Sequence, residues 1–463
     1  MNFKKLFIPI ILITLYFSVV HLMNMHLFTY FDEVFTYARD TSVLANALTL
    51  IVLALLATYK PNVLNKLKVY SILIAAALLG GFLLWNSFSY QNTGLLIFAS
   101  ALVSVARALT LAVLMLYVSN FNSKEVPAII ALGLALSLII SQFFTYFDFV
   151  STVGYFTLMP VIIALVLYKL LNLDFITSSE ESPVEASILQ PQTFVSFQSQ
   201  VFISILVFQF GFGLSLRLGE IEGVPLFATE ISVVVLLLIF IVAVIKHELI
   251  NVDRLIDTSV VLLFSGLLFV IITLADHQFW ATTILQLAYN IFQVAAWLIL
   301  IRIASKNLYN ALGVISWGAA LMGLGTILGA QSGLFINRVA EIDFDLVQLI
   351  TVFIIIIFLI YFIFAFRTFN FEDTIFKVET YKNTEVNTEF INFGERVSEI
   401  SEMYNLTPRE TEIFELLARG RNRKYLEEEL GISRNTVKVH VQNIYNKLQV
   451  HSHQELIDIV ETE

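Results

Sequence analysis

Cysteine is absent from this chain of 463 residues, and charged side chains make up only 14% of it. Without cysteine there is no disulfide, no thiolate metal site and no cysteine nucleophile. The seven histidines show no HExxH-type metal spacing, and the sequence contains no P-loop, no GxGxxG phosphate loop and no GxSxG elbow. We therefore expect a protein that is not an enzyme, with no catalytic residue, no metal and no cofactor.

Apolar side chains take the place of the missing charge. The chain is 58% hydrophobic and its mean hydropathy is +0.81, whereas soluble domains are about half apolar and about a quarter charged. A membrane-spanning helix needs about 20 largely apolar residues. Twelve runs meet that requirement: 6–23, 43–59, 69–88, 93–118, 125–146, 151–171, 198–218, 227–245, 258–275, 280–301, 312–330 and 346–369. The composition predicts an all-α, polytopic membrane domain over residues 1–369.

A longer polar segment, residues 172–197, divides the twelve runs into six and six. Six plus six spans joined by a central loop resemble the major facilitator superfamily. That family's transporters usually carry a Gly-x-x-x-Asp-Arg-type signature between spans two and three. Residues 58–70 read TYKPNVLNKLKVY instead, which puts transport in doubt.

Positive charge is distributed unequally between the loops. One side collects Lys4, Lys5, Lys60, Lys66, Lys68, Lys124, Lys169, Lys246, Arg254, Arg302, Lys306 and Arg367, and the other only Arg39, Arg217 and Arg338. Because Lys and Arg accumulate in cytoplasmic loops, the first side is predicted to be cytoplasmic. Twelve spans then place both termini in the cytoplasm of a multi-pass protein of the bacterial inner membrane.

One charge falls deep within a predicted span. Arg107 lies near the centre of the fourth run, and we find no Asp or Glu at comparable depth in the other runs. A charge at this depth is costly unless it is compensated. It could face a cavity and bind an anionic or carbonyl-bearing ligand. Alternatively, it could bond backbone carbonyls or extend towards the membrane surface.

Several amide side chains also occur at membrane depth. Gln286, Asn290 and Gln293 share one helical face by their spacing, and Gln209 lies in another run. Such a face could line a cavity or form hydrogen bonds between helices. The candidate ligand site is therefore Arg107, Gln209, Asn290 and Gln293.

Glycines recur every four residues at positions 325, 329 and 333. Small residues on one face allow two membrane helices to approach closely. This spacing predicts a close helix contact, and we assign it no chemistry.

The composition changes abruptly after the last run. Residues 370–388 are polar and are predicted to form a tether, and residues 389–405 carry apolar side chains at three- and four-residue spacing, typical of an amphipathic helix. Together, residues 370–405 form a predicted linker. Residues 406–463 then predict a domain of four short helices.

Helix boundaries are marked clearly in this last domain. Thr407, Pro408 and Glu410 predict a capping box with proline in the first turn, and Ser433 predicts the cap of the third helix. In the third helix the buried stripe is predicted to be Val437, Val441, Ile444 and Leu448.

The second and third predicted helices are joined by a short turn, and their exposed faces carry side chains suited to DNA. Lys and Arg neutralise phosphates or bind guanine, Asn and Gln can bind adenine, and valine can contact a thymine methyl. A charged helix face is often only a solvated one. The candidate DNA-binding residues are Arg423, Lys424, Arg434, Asn435, Thr436, Lys438, Val439 and Gln442.

The complete pattern resembles the LuxR-type helix-turn-helix domain of bacterial transcription regulators. The resemblance rests on LTPRE, LLARG, LGIS-x-x-TVKVHV, NIYNKL and QELIDIV, which span residues 406–460. It implies that residues 434–448 enter the major groove of double-stranded DNA. Glutamine at 442, where the family often has lysine, and glutamate at 427, where it usually has a small residue, are departures. Residues 406–463 hold eight Lys or Arg against ten Asp or Glu, so a homodimer on DNA is expected.

The leading hypothesis is a one-component transcription regulator whose membrane domain senses an unknown small molecule, and an anionic one would suit Arg107. The whole chain resembles the facilitator-like LuxR regulators of some anaerobic gut bacteria. The alternative is a facilitator-like transporter with a regulatory DNA-binding tail. A third possibility is an unliganded bundle that only anchors the regulator in the lipid bilayer.

Overall fold

The computed structural model describes most of the chain. The described residues are 3–31, 34–35, 37–171, 191–218, 220–221, 224–225, 229–273, 278–340, 344–380, 397–398, 400–418, 423–431, 433–450 and 453–461. The predicted central loop therefore lies mostly outside the described residues, as does the first half of the predicted amphipathic helix. The chain forms two compact units, Met1–Tyr381 and Lys382–Glu463.

The first unit is built from apolar helices, one overlapping each predicted run. They are α1 (Phe3–Leu22), α2 (Ala38–Tyr59), α3 (Lys66–Tyr90), α4 (Thr93–Val118), α5 (Val126–Ser141), α6 (Phe149–Leu170), α7 (Gln200–Leu218), α8 (Glu230–Ile245), α9 (Val252–Thr273), α10 (Gln278–Ala304), α11 (Leu308–Ala340) and α12 (Phe344–Thr368). In the described residues, nine helices are long and apolar enough to cross a membrane by length and composition. The number of twelve spans stays a prediction.

Short elements complete this unit. α1 continues into a π-helix, Met23–Leu27, and 3₁₀ turns lie at Phe28–Phe31, Pro61–Val63, Gln142–Tyr146, Pro191–Thr193 and His247–Leu249. The strands β1 (Glu220–Ile221) and β2 (Val224–Pro225) pair antiparallel between α7 and α8. In the described residues of this unit, this minimal hairpin is the one pair of strands.

Packing within the first six helices recurs in the second six. α1 packs on α5 and α3 on α4, just as α7 packs on α11 and α9 on α10. Between the two sets, α2 packs on α11 and α5 on α8. By position in each set, α2 corresponds to α8 and α5 corresponds to α11, so these two contacts are equivalent. This is expected for a pair of equivalent six-helix repeats.

Helices α7 and α11 approach closely through glycine, as the glycine spacing predicted. A Cβ atom added at Gly329 would lie 1.9 Å from the carbonyl oxygen of Phe210, and one added at Gly213 would lie 2.1 Å from that of Thr326. Neither contact is sterically possible. Only glycine at these positions allows the two backbones to meet.

A short helix, α13 (Phe371–Lys377), lies in the segment predicted to be a tether, so that prediction is wrong for this helix. Phe371, Ile375 and Val378 are buried in the core of the first unit. Their spacing of four and three residues forms one apolar face, which is too short to stand out as a sequence period.

Polar contacts hold α13 against α9 and α10. The Asp253 carboxylate accepts hydrogen bonds from the backbone N–H groups of Phe371 and Glu372, at 2.7 and 3.1 Å. The Glu372 carboxylate in turn accepts from the N–H of Val252 at 2.9 Å and from Arg302 at 2.9 and 3.1 Å. Backbone N–H groups at the start of α9 and of α13 thus donate to a carboxylate of the other helix.

The second unit is a bundle of short helices. They are α14 (Pro408–Ala418), α15 (Arg423–Leu430), α16 (Arg434–Leu448) and α17 (His453–Glu461). Its core contains Phe414, Leu426 and Leu456, together with Val397 and Ile400 from the segment before α14. The predicted stripe Val437, Val441, Ile444 and Leu448 is buried, which confirms that prediction.

Candidate ligand cavity and candidate DNA interface

A cavity of about 160 Å³ lies inside the first unit and is lined by both sets of six helices. α1, α2 and α4 contribute from the first set, and α7, α10 and α11 from the second. The polar side chains that line it are Tyr16, Asn24, Arg39, Asp40, Asn46, Arg107, Gln209, Arg217, Tyr289, Gln293, Trp297 and Thr326. Three of the four candidate ligand residues therefore meet at one cavity.

Arg107 lies in the inner part of α4 and is only 4% exposed. Its Nη1 contacts the Sδ atom of Met23, in the π-helix that follows α1. Ser42 also donates to this sulfur, at 3.8 Å. In the described residues, Met23 is the hydrogen-bond partner of the guanidinium, and a thioether is a weak acceptor. The structure places Arg107 at the cavity and not at a helix end.

Gln209 and Gln293 line the same cavity from α7 and α10. The Oε1 atom of Gln209 accepts from Thr326 at 3.1 Å, while its buried Nε2 has no hydrogen-bond partner among the described residues. The Oε1 atom of Gln293 accepts from the indole N–H of Trp297 at 3.0 Å. Gln209 thus presents an unused donor, whereas the Gln293 oxygen is occupied.

Asn290 is also buried, but it is not among the residues that line the cavity. Its Nδ2 donates to the backbone carbonyl of Gln286 one turn earlier in α10, at 2.9 Å. Residues three positions apart on a helix differ in direction by about 60°, so Gln293 reaches the cavity while Asn290 bonds to its own helix. The prediction that Asn290 belongs to this face is not supported by its position.

An ion pair lies in the wall of the cavity. Nη2 of Arg217 lies 3.0 and 2.9 Å from the two carboxylate oxygens of Asp40, and Gln331 donates to the same carboxylate at 2.8 Å. These residues looked like loop charges because they lie at the ends of apolar runs. Only the packing of α2 and of α7 against α11 brings these two residues together in the wall of the cavity.

Aromatic rings form much of the remaining wall. Tyr16, Phe17, Phe212, Tyr289 and Trp297 line the cavity. The rings of Phe212 and Tyr289 stack with their centroids 3.8 Å apart. Aromatic residues are common in apolar runs of this kind, so the sequence contained no signal that distinguished these five. The combination of flat apolar walls and a few polar groups is typical of small-molecule sites.

The exposed face of α16 forms the candidate DNA interface in the second unit. Ser433 caps the helix by accepting from the N–H of Thr436 at 3.2 Å, which confirms the predicted cap. The exposed candidates on this helix are Arg434, Asn435, Thr436, Lys438, Val439 and Gln442. Val439 is 58% exposed although it is apolar. The α16 face therefore presents hydrogen-bond donors, hydrogen-bond acceptors and the methyl groups of Val439 side by side.

The remaining two candidates lie in the first turn of α15. The backbone of Arg423 and Lys424 is helical, and their side chains lie outside the described part of the chain. Gly431 follows α15 with a positive φ of 59°, a conformation that glycine adopts readily. Glu427 is half-buried, so the departure from a small residue at this position does not bury a charge completely.

Glu410 joins the start of α14 to the end of α16. Its carboxylate accepts from the N–H of Thr407 at 2.9 Å and from Lys447 at 2.7 Å, while Thr407 Oγ1 accepts from the N–H of Glu410 at 3.3 Å. The predicted capping box is confirmed. Lys447 also donates to the carbonyl oxygen of Asn405, at 2.9 Å. Lys447 therefore joins the end of α16 to the start of α14 and stabilises the domain.

These contacts predict how the domain responds to acid. Burial raises the pKa of Glu410, but the hydrogen bonds from Lys447 and Thr407 outweigh it and hold the pKa below its ordinary value of 4.5. The stabilisation is therefore present above about pH 4.5 and is lost as the pH falls through the lower folded-state pKa. We expect amides of α14 and α16 to exchange faster with solvent below that pH, after correction for intrinsic rates. Glu410→Gln should remove this pH dependence, and an unchanged dependence would contradict the assignment.

Comparisons with known proteins agree with this geometry. Residues 404–460 match the family described as bacterial regulatory proteins, luxR family. The response regulator protein TodT of Pseudomonas putida is 43% identical over 67 residues, which are 14% of this chain and 30% of TodT. The uncharacterized response regulatory protein YgeK of Escherichia coli is 50% identical over 52 residues, 11% of this chain and 35% of YgeK. The chain spans about a third of the length of these relatives.

The match and the geometry concern the same residues. The matched segment begins just before α14 and ends within α17, so it contains the capping box, the turn at Gly431 and the exposed face of α16. Residues 404–460 are a LuxR-type DNA-binding domain, carried by a chain whose other unit consists largely of apolar helices.

Proposed function

We propose that this protein is a membrane-embedded one-component transcription regulator. The apolar unit binds a small molecule in its central cavity, and binding changes how the C-terminal domain engages DNA. The observation that carries this proposal is that a cavity with the buried Arg107 at its wall belongs to the same chain as a LuxR-type domain. We infer no enzymatic step and no cofactor.

The membrane arrangement is part of the proposal. Twelve spans cross the bacterial inner membrane, with both termini in the cytoplasm. Two observations support it: the asymmetry of Lys and Arg between the loops, and the need of a DNA-binding domain for access to the chromosome. The repeated packing of the two six-helix sets supports a facilitator-like origin for this unit.

The DNA-binding residues we propose are those of the exposed α16 face and the α15 start. They are Arg423, Lys424, Arg434, Asn435, Thr436, Lys438, Val439 and Gln442. The domain carries more acidic than basic residues, and phosphate contacts supply much of the affinity of such proteins for DNA. A homodimer on double-stranded DNA, which doubles these contacts, is therefore proposed.

Helix α10 offers a physical connection between the cavity and the linker. It carries Gln293 and Trp297 at the cavity and Arg302 at its end, where Arg302 binds Glu372 of α13. Gln293 and Arg302 are about 14 Å apart along the axis at 1.5 Å per residue. A movement of α10 on ligand binding would reach the segment that leads to the DNA-binding unit.

Genome-wide mapping tests the proposed regulator directly. A chromosomal deletion should change the transcription of a small set of genes, and chromatin immunoprecipitation of the full-length protein should find it bound at their promoters. Complementation with the wild-type gene should restore transcription, while a chain lacking residues 406–463 should not. Identical transcript profiles in all three strains across growth conditions would refute the proposal.

A transporter with a regulatory DNA-binding tail is the second candidate. A cavity between two equivalent six-helix sets is the observation that favours it. Inverted vesicles that contain the protein should accumulate no substrate if the unit is only a receptor. Robust uptake or efflux of a compound that also controls the target genes would establish the transporter instead. In the anchor-only case, Arg107→Ala leaves transcription unchanged under every condition.

A further inference from the structure

The cavity contains a buried positive charge, Arg107, for which the described part of the chain supplies no acidic hydrogen-bond partner. A guanidinium has five N–H donors and retains its charge in proteins. In the described residues, the hydrogen-bond acceptor for Arg107 is the sulfur of Met23, which carries no charge. A charged side chain inside a membrane normally has a counter-ion or an equivalent set of acceptors. An acceptor bound in the cavity would supply what the protein lacks.

The acidic residue among those that line the cavity already has partners. Asp40 lines the cavity, but Arg217 binds both of its carboxylate oxygens and Gln331 binds one of them. The charge of Asp40 is thus balanced by Arg217, in an ion pair of 2.9 Å whose side chains are 12% and 5% exposed. Arg107 is left to interact with whatever enters the cavity.

Gln209 supplies a second donor to the same space. Its Nε2 is buried and has no hydrogen-bond partner among the described residues, while its oxygen accepts from Thr326. A buried donor without a partner is unfavourable, so turning this Nε2 towards a ligand oxygen in the cavity would be stabilising. A guanidinium and an unpaired amide N–H together favour an acceptor-only group, which a carboxylate is.

The size and walls of the cavity restrict the rest of the ligand. A dry cavity of about 150 Å³ holds one benzene ring, and drug-sized ligands need about 300 Å³ or more. The cavity of about 160 Å³ is partly open, and its volume suffices for one ring with a small substituent. The stacked rings of Phe212 and Tyr289, together with Trp297, provide flat apolar surfaces for a planar ring.

We propose that the cavity binds a small organic acid made of one planar ring and a carboxylate. Arg107 binds the carboxylate, Gln209 donates to one of its oxygens, and the aromatic walls contact the ring. The assignment rests on the sensor role proposed above, because this acid would be the signal that the regulator detects.

Binding is tested with the purified full-length protein in nanodiscs of zwitterionic lipid. The probes are benzoate and phenylacetate, each paired with its uncharged amide, benzamide and phenylacetamide. At saturation at least one acid should raise the Tm of the protein by about 2 °C or more, since a ligand that binds the folded state stabilises it. The matching amide should leave Tm unchanged. Equal stabilisation by acid and amide, or none by either acid, would overturn the proposal.

Variants of the cavity residues identify the side chains that bind the acid. Arg107→Gln should weaken binding of the acid by at least about tenfold, and Gln209→Leu by a smaller factor, because a charged hydrogen bond contributes more than a neutral one. Arg254→Gln changes an exposed arginine that does not line the cavity, and should bind as the wild type does. If Arg107→Gln does not fold, Arg107→Lys serves instead: it should bind the acid several-fold more weakly, because lysine cannot make the two-pronged contact. Full affinity in the folded Arg107 variant would contradict the assignment.

Two further measurements distinguish binding of the acid from binding of a lipid headgroup, and binding from regulation. The carboxylate could compete with an anionic lipid headgroup, so the measurement is repeated in nanodiscs that contain phosphatidylglycerol. The acid should bind equally well there; loss of its effect would assign the cavity to the lipid and overturn the proposal. A transcription reporter distinguishes binding from regulation. An acid that binds the purified protein without altering any target promoter leaves the ligand class intact and contradicts the proposed function.

Discussion

The charge reversal Lys438→Glu is expected to weaken binding of the full-length protein to its operator DNA by at least about a hundredfold. Lys438 is exposed on α16, one turn from the exposed Gln442. A good base or phosphate contact contributes about 1–3 kcal/mol, and a glutamate in its place adds repulsion from the phosphates. Lys438→Ala loses the contact without the repulsion and should bind about tenfold more weakly.

Binding is measured by fluorescence anisotropy on a promoter fragment identified by immunoprecipitation, at several salt concentrations. If Lys438 contacts a phosphate, Lys438→Ala should also reduce the salt dependence by about one ion. Met403→Glu provides the matched control. It changes the net charge by the same amount as Lys438→Ala, at a side chain that is 72% exposed and lies before α14. Equal losses in the two variants would mean that net charge, and not this face, governs binding.

A single methyl group at Gly329 is expected to destabilise the first unit by about 2 kcal/mol or more, because overpacking of a tight contact costs about 1–3 kcal/mol. The added Cβ of Gly329→Ala would lie 1.9 Å from the carbonyl oxygen of Phe210. That oxygen belongs to backbone and cannot rotate away, so α7 and α11 must move apart. The same movement would widen the cavity, which both helices line.

Gly154→Ala is the control, because a Cβ atom there meets no described atom within 4 Å. Alanine favours a helix over glycine by about 1 kcal/mol, and this benefit applies equally to both positions. In detergent, Gly154→Ala should therefore melt at or slightly above the wild-type Tm, and Gly329→Ala several degrees below it. Equal melting temperatures for the two variants would refute the close approach of α7 and α11.

Much of the second unit could be predicted because its information is local. Thr407, Glu410 and Ser433 act on backbone groups within three residues of themselves, so their roles follow from short spacing rules. The buried stripe of α16 likewise follows from one helical period. The structure added Lys447, whose partner Glu410 lies 37 residues away.

The docked helix α13 shows where local reasoning failed. Its apolar face consists of three residues in a polar setting, which is too few for a convincing period. The partners Asp253 and Arg302 lie 118 and 70 residues from their partners in α13. No sequence spacing indicated that these residues would meet.

The sequence by itself determined the helical class, the apolar runs and the DNA-binding domain, because hydropathy and helix caps act over one or a few turns. It also selected Arg107, because a charge in an apolar run is conspicuous. Only the tertiary structure decided that Arg107, Gln209 and Gln293 line one cavity while Asn290 does not, and that the ion pair of Asp40 and Arg217 belongs to its wall. Those relations depend on how helices far apart in the chain rotate and pack, which side-chain volume and glycine contacts decide.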